Sequence, residues 1–120
     1  MRGEQYLTKK VQFNLVYKEG RSWTGREVVV RALPNELGSS RFGFVVSRHV
    51  GKAVERNRVK RLLREILRQT LLQPGWDIII IARAHAAMTG YTRLRESVRN
   101  LLFRAGLLVE KYEGVRPGTD

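Results

Sequence analysis

Residues 47–68 read SRHVGKAVERNRVKRLLREILR, and the rest of the chain arranges itself around them. The stretch leaves an apolar run, passes a glycine and enters a periodic helix. With residues 53–72 taken as helical at about 100° per residue, Val59, Leu62, Leu63, Ile66, Leu67 and Thr70 share one side. Lys60, Arg61, Arg64 and Arg68 share another, with Asn57 among them. The helix has an aliphatic stripe to bury and a guanidinium stripe to present.

Charge is concentrated here. Residues 41–68 hold nine Lys or Arg against two Glu, which is +7 of the chain's net +12. Like charges three and four apart repel along a helix. Glu55 and Glu65 are too few to neutralise them. A dense polyanion resolves the conflict, and Arg suits planar, two-pronged contacts to phosphate. A single basic helix face is often only solvated. The local density of charge favours nucleic acid over that reading.

The remainder of the composition narrows the class. At 120 residues the chain is long enough for one modest core. There is no cysteine, so no disulfide frame, thiolate chemistry or cysteine zinc site is available. No apolar run approaches the length of a membrane span, and the N-terminus shows no signal-peptide core. These features suit a cytoplasmic protein with an anionic partner and no membrane.

Working outward, residues 8–18 read as a helix with Thr8 as N-cap and Gly20 as stop. It carries two apolar stripes, Leu7-Val11-Leu15 and Phe13-Tyr17, one for the core and one for a cleft. Residues 26–33 are rich in valine and read as a strand ended by Pro34-Asn35. A short extra strand fits residues 22–24. Residues 41–47 form a second strand whose parity puts Phe42, Phe44 and Val46 on a packed face. Arg41, Gly43, Val45 and Ser47 fall on a smaller, partly polar face. The accessible parity of the earlier strand carries Val29 and Arg31. After the basic helix, Ile78-Ile79-Ile80-Ile81 reads as an interior strand covered on both faces. Thr89 is expected to cap a last helix over residues 91–104, with Leu94, Val98, Leu101 and Leu102 buried and Gly106 ending it. The order is α-β-β-(β)-α-β-α. It predicts an α+β sandwich with a central, mostly antiparallel sheet of about four strands. Residues 1–106 are expected to form one nucleic-acid-binding domain, and residues 107–120 a flexible tail.

No catalytic constellation stands out. The two aspartates, Asp77 and Asp120, lie far apart in sequence, whereas a two-metal nuclease needs clustered carboxylates. His49 and His85 sit on separate connections without metal-ligand spacing. His49 fits the basic surface and His85 a loop. No phosphate-cradling glycine motif or nucleophile elbow is present.

The run Gly51-Lys52-Ala53-Val54-x-Arg56-Asn57-Arg58-x-Lys60-Arg61, followed by Leu-Arg-Glu, resembles the signature of the bacterial ribonuclease P protein family. The order of elements from Leu7 to Gly106 fits that family as well. The resemblance implies a left-handed crossover through the basic helix, where pattern reasoning alone gives a right-handed one. It implies that catalysis resides in an RNA subunit. That RNA would hydrolyse one phosphodiester of precursor tRNA with Mg2+ held mainly by RNA. It assigns Lys52, Arg56, Asn57, Arg58, Lys60, Arg61, Arg64 and Arg68 to the catalytic RNA. It assigns Phe13, Tyr17, Val29, Arg31, Val45 and Ser47 to the 5′ leader. Strand parity picks out the last four independently. Glu55 inside the basic run and His49, where Lys is common, depart from the pattern.

Three competing readings remain at this point. A ribosomal or other RNA-binding protein shares the size and charge, and the RNA that co-purifies separates it. A protein with its basic helix in the major groove of double-stranded DNA would need a turn-helix partner, but strands flank this helix. A small enzyme acting on an anionic substrate lacks a visible catalytic set.

Overall fold

The computed structural model describes residues 6–109. In order these form α1 (Lys10–Glu19), β1 (Arg21–Thr24), β2 (Val28–Pro34), β3 (Arg41–Val45), α2 (Ala53–Arg68) and β4 (Trp76–Ala82). A 3-10 helix (Ala84–Met88) and α3 (Tyr91–Arg104) follow. One sheet holds the strands in the order β1-β2-β4-β3. β2 is antiparallel to β1 and β4, while β3 is parallel to β4. Parallel neighbours need a crossover, and α2 supplies it. The expected order and the extra short strand both hold.

The isoleucine run is interior because β4 lies between β2 and β3, and Ile78, Ile79 and Ile80 are fully buried. Alternation then splits the side chains between two faces. Val28, Val30, Ile78, Ile80 and Phe42 belong to the main core with Val59, Leu63, Ile66 and Leu67 of α2. Leu94, Val98, Leu101 and Leu102 of α3 complete it. The opposite face carries a smaller cluster of Leu7, Val16 and Ile79, covered by α1. Magnitudes explain why α2 tolerates its charge. Each like-charged pair costs roughly 0.2–0.5 kcal/mol, whereas burying each of four aliphatic side chains returns about 1.5–3 kcal/mol.

Several expectations are corrected. Thr8 and Thr89 do not cap; Lys9 and Gly90 occupy those positions. Gln12 Oε1 accepts the backbone N–H of Thr8 and Lys9 at 2.8 and 2.9 Å. The Thr89 hydroxyl donates to the His85 carbonyl at 2.6 Å, closing the 3-10 helix instead. The Leu7-Val11-Leu15 stripe does not exist as a buried line. Leu7 is buried ahead of the helix, Val11 and Leu15 are exposed, and Val16 is the residue of α1 that is fully buried. The helix starts one residue later than expected, with Lys9 in place of Thr8 at its cap. α2 ends at Arg68 because Thr70 turns its hydroxyl back to the Ile66 carbonyl, 2.7 Å away. β2 begins after Glu27, whose buried carboxylate accepts the Ser97 hydroxyl at 2.9 Å.

Both ends of the described chain are tied to one end of the sheet. Tyr6 bridges to Phe42, and the Leu7 N–H donates to the Phe42 carbonyl at 2.7 Å. Leu72 bridges to Leu108, and the Val109 N–H donates to the Leu71 carbonyl at 3.0 Å. Phe42 and Leu72 line the same surface pocket of about 330 Å³. Leu107 is fully buried, so the packed chain extends past the Gly106 turn. The rest of the predicted tail, and residues 1–5, lie outside the described residues.

Candidate nucleic-acid interface

Glycine sets the entry to the basic helix. Gly51 has φ +152°, and a Cβ there would stand 2.9 Å from Glu55 Cβ. The close approach lets the Glu55 carboxylate accept the Lys52 backbone N–H at 3.0 Å. The acid that interrupts the basic run is therefore a helix-start group. Asn57, Arg61, Arg64 and Arg68 are exposed on the outer side of α2, as is Lys52 at its start. Arg61 and Arg64 have no hydrogen bond or ion pair among the described residues. Arg56 and Lys60 are half-buried, and Arg56 Nε is buried without a partner.

Two of the predicted RNA ligands are already engaged. Arg58 donates to the carbonyls of Thr89 at 2.9 Å and Ala87 at 3.4 Å, so it holds the 3-10 helix against α2. Arg68 pairs with Glu65, which also accepts the Gln69 amide at 2.7 Å. Arg41 is spent in the fold. It grips Asp77 with Nε–Oδ1 at 2.8 Å and Nη2–Oδ2 at 2.7 Å, and this hydrogen bonding raises its pKa above its already high value.

The other candidate surface lies on the sheet face under α1. Register places Thr24, Val29, Ile81 and Val45 in one row across the four strands. The next row is Ser22, Arg31, Ile79 and Gly43. α1 covers the second row. A Cβ at Gly43 would stand 2.6 Å from the Phe13 ring, so glycine is what lets that ring sit on the sheet. The first row stays open, with Val29, Ile81 and Val45 half-buried and Thr24 exposed. The result is a groove with α1 as its wall and small aliphatic side chains as its floor. Phe13 is half-buried and packs into the smaller core while edging the groove. Tyr17 is 41% exposed. Burial pushes its phenol pKa up, and the Arg31 guanidinium opposes that shift. Ser47, two residues past Val45, is exposed and accepts the His49 N–H on Oγ at 3.3 Å.

Arg31 does not point into the open row. Its Nη2 reaches the carbonyls of Tyr17 (2.5 Å), Val16 (3.3 Å) and Gly20 (3.3 Å), and its guanidinium lies 5.7 Å from the centre of the Tyr17 ring. Ile81 and Thr24 were missed as floor residues. Parity with Ile79 was the available signal for Ile81, hidden by the uniform isoleucine run. Groove and guanidinium stripe lie on opposite faces of the sheet, linked by the exposed residues 47–49 and the start of α2.

The donor set for the Mg2+ implied by the resemblance does not fit. Among the described residues no three His, Cys, Asp or Glu side chains converge. Asp77 is held by Arg41, Glu27 by Ser97, and Glu55 by the start of α2. No helix among the described residues is long and apolar enough to cross a membrane.

The ribonuclease P family model matches residues 1–106. The ribonuclease P protein component of Dehalococcoides mccartyi is 44% identical over 113 residues, covering 94% of each chain. That of Symbiobacterium thermophilum is also 44% identical, covering 85% of this chain and 91% of its own. The RNase P protein from Thermotoga maritima has a TM-score of 0.76 at 36% identity, covering 82% of this chain and 96% of its own. A Staphylococcus aureus RNase P protein mutant with defective mRNA degradation activity reaches 0.81 at 30% identity, covering 88% and 91%. Sequence signature, element order and sheet thus converge: the chain belongs to the ribonuclease P protein family, the protein component of an endoribonuclease that processes tRNA.

Proposed function

We propose that this chain binds the catalytic RNA of ribonuclease P through α2 and the 5′ leader of precursor tRNA in the groove beside α1. The observation that carries the reading is the open row Val29-Ile81-Val45 next to Phe13 and Tyr17, with Arg61 and Arg64, unpartnered among the described residues, on the other face. An extended single strand fits such a groove, because bases stack on aromatic rings and apolar floors without being read by hydrogen bonds. Mature tRNA lacks the leader, so the groove favours substrate over product. Arg61 and Arg64 meet phosphates of the structured RNA, with Lys52, Arg56, Asn57 and Lys60 along the same side. Hydrolysis of the phosphodiester belongs to the RNA, which also holds the Mg2+. On this reading the protein works in the cytoplasm, where its RNA partners are.

The test is reconstitution with a bacterial ribonuclease P RNA at low Mg2+. Adding the protein should raise cleavage at the mature 5′ end and tighten binding of leader-bearing tRNA over mature tRNA. The protein freed of nucleic acid should not cut precursor tRNA at that position at any Mg2+ concentration. Site-specific cleavage by the RNA-free protein would overturn the division of roles. A ribosomal RNA as the co-purifying species would instead favour a general RNA-binding role.

A further inference from the structure

Arg31 lies on the groove face, yet its guanidinium is turned away from the open row. It contacts three carbonyls at the C-terminal end of α1 and lies against the Tyr17 ring. Those carbonyls are the negative end of the helix dipole, where a cation is favourable; Val16 O also accepts the Gly20 N–H at 2.8 Å. The Nε is buried with no hydrogen-bond partner, so the side chain is sunk between helix and sheet rather than extended to solvent. Arg31 also stands at the register position directly beside Ile79 and Ser22, in the row that α1 covers. One side chain therefore fixes how the last turn of α1 sits on the sheet and where the Tyr17 ring is held.

We infer that Arg31 is a positioning residue for leader recognition: it clamps the last turn of α1 and holds Tyr17 as a stacking wall, without touching the leader itself. The inference rests on the groove as the leader site. It replaces a role for Arg31 as a direct leader ligand. It also separates the groove from direct phosphate contacts, because the Arg31 guanidinium is taken up by backbone carbonyls.

Arg31→Met keeps the aliphatic stem and removes the guanidinium. Hydrogen exchange on the free protein should quicken at the amides of residues 17–21, while β2, β4 and α3 keep their protection. Unchanged exchange at 17–21, or a general rise everywhere, would overturn the clamp. In the reconstituted holoenzyme, Arg31→Met should weaken leader-bearing tRNA at least about fivefold, the low end for one stacked base, and leave mature tRNA unchanged. The slope of log affinity against log salt should not move. Combined with Tyr17→Ala, it should add less than about twofold, because both changes remove the same wall. Arg31→Lys, which can still reach one carbonyl, should recover part of the loss. A slope reduced by about 0.7 would reveal a direct phosphate contact, and multiplying losses would show independent roles; either result sinks the inference. If Tyr17→Ala and Phe13→Ala both leave leader preference intact, the groove reading itself fails, and that outcome is separate from any result with Arg31.

Discussion

The arginines of α2 show how one residue type does two jobs. Arg61 and Arg64 are exposed and unpartnered among the described residues, whereas Arg58 is turned to the Ala87 and Thr89 carbonyls. Arg61→Ala and Arg64→Ala should each lower the salt-dependence slope of RNA binding by roughly 0.7–0.9, with little change in melting temperature. Arg58→Ala should do the reverse. It should leave the slope in place and destabilise the fold by about 1.5 kcal/mol, the lower range for hydrogen bonds to a charged group, since one contact is long. Equal slopes for wild type, Arg61→Ala and Arg64→Ala would make the stripe a solvated face. Tyr17 gives a pH test. Burial raises its pKa, so the folded state favours the neutral phenol. Stability from this group is fully present below the ordinary phenol pKa and lost as pH rises through the raised one. The Arg31 guanidinium opposes the shift without cancelling it. Phenolate absorbance, with Tyr17→Phe as the blank, reads it.

At the scale of elements, α1 matters most, because its seat decides whether a groove exists. Gly43→Ala would drive a Cβ to within 2.6 Å of the Phe13 ring. The ring must shift, at a cost of about 1–3 kcal/mol, and leader binding should fall with it. A variant with unchanged melting temperature and unchanged leader affinity would mean the ring is not seated there. Phe13→Ala should lower both melting temperature and leader affinity, since the ring packs and edges the groove at once. Tyr17→Ala, more exposed, is the cleaner probe of stacking. Elements with a strong period were legible in the sequence: α2, α3 and the isoleucine strand. α1 was legible as a helix but not in its burial, because it has just one fully buried side chain and rests on the row of Ser22, Arg31, Ile79 and Gly43, which only the register reveals. The 3-10 helix was not foreseen, since Ala84 to Met88 has no period and is fixed by Arg58 and Thr89, which are distant or turned backwards.

Across the whole molecule, sequence parity found the groove floor at Val29 and Val45, and register adds Ile81 between them. What parity could not say is where a long side chain ends. Arg31 has the right parity and the wrong direction, because only the packed helix supplies the carbonyls that turn it. The net charge of +12 has a further effect on the free protein. Self-repulsion is screened by salt, so the isolated chain should melt at a higher temperature as ionic strength rises, while RNA binding weakens. A melting temperature that falls over the same range would contradict this. Lastly, Tyr6 and Val109 are both anchored beside the start of β3, whereas the open row runs out at Val45 and Ser47 beyond its far end. The described chain is thus held at the end of the sheet away from the open row. A dye on a cysteine introduced at position 109 would therefore sit at the end of the sheet opposite the groove mouth.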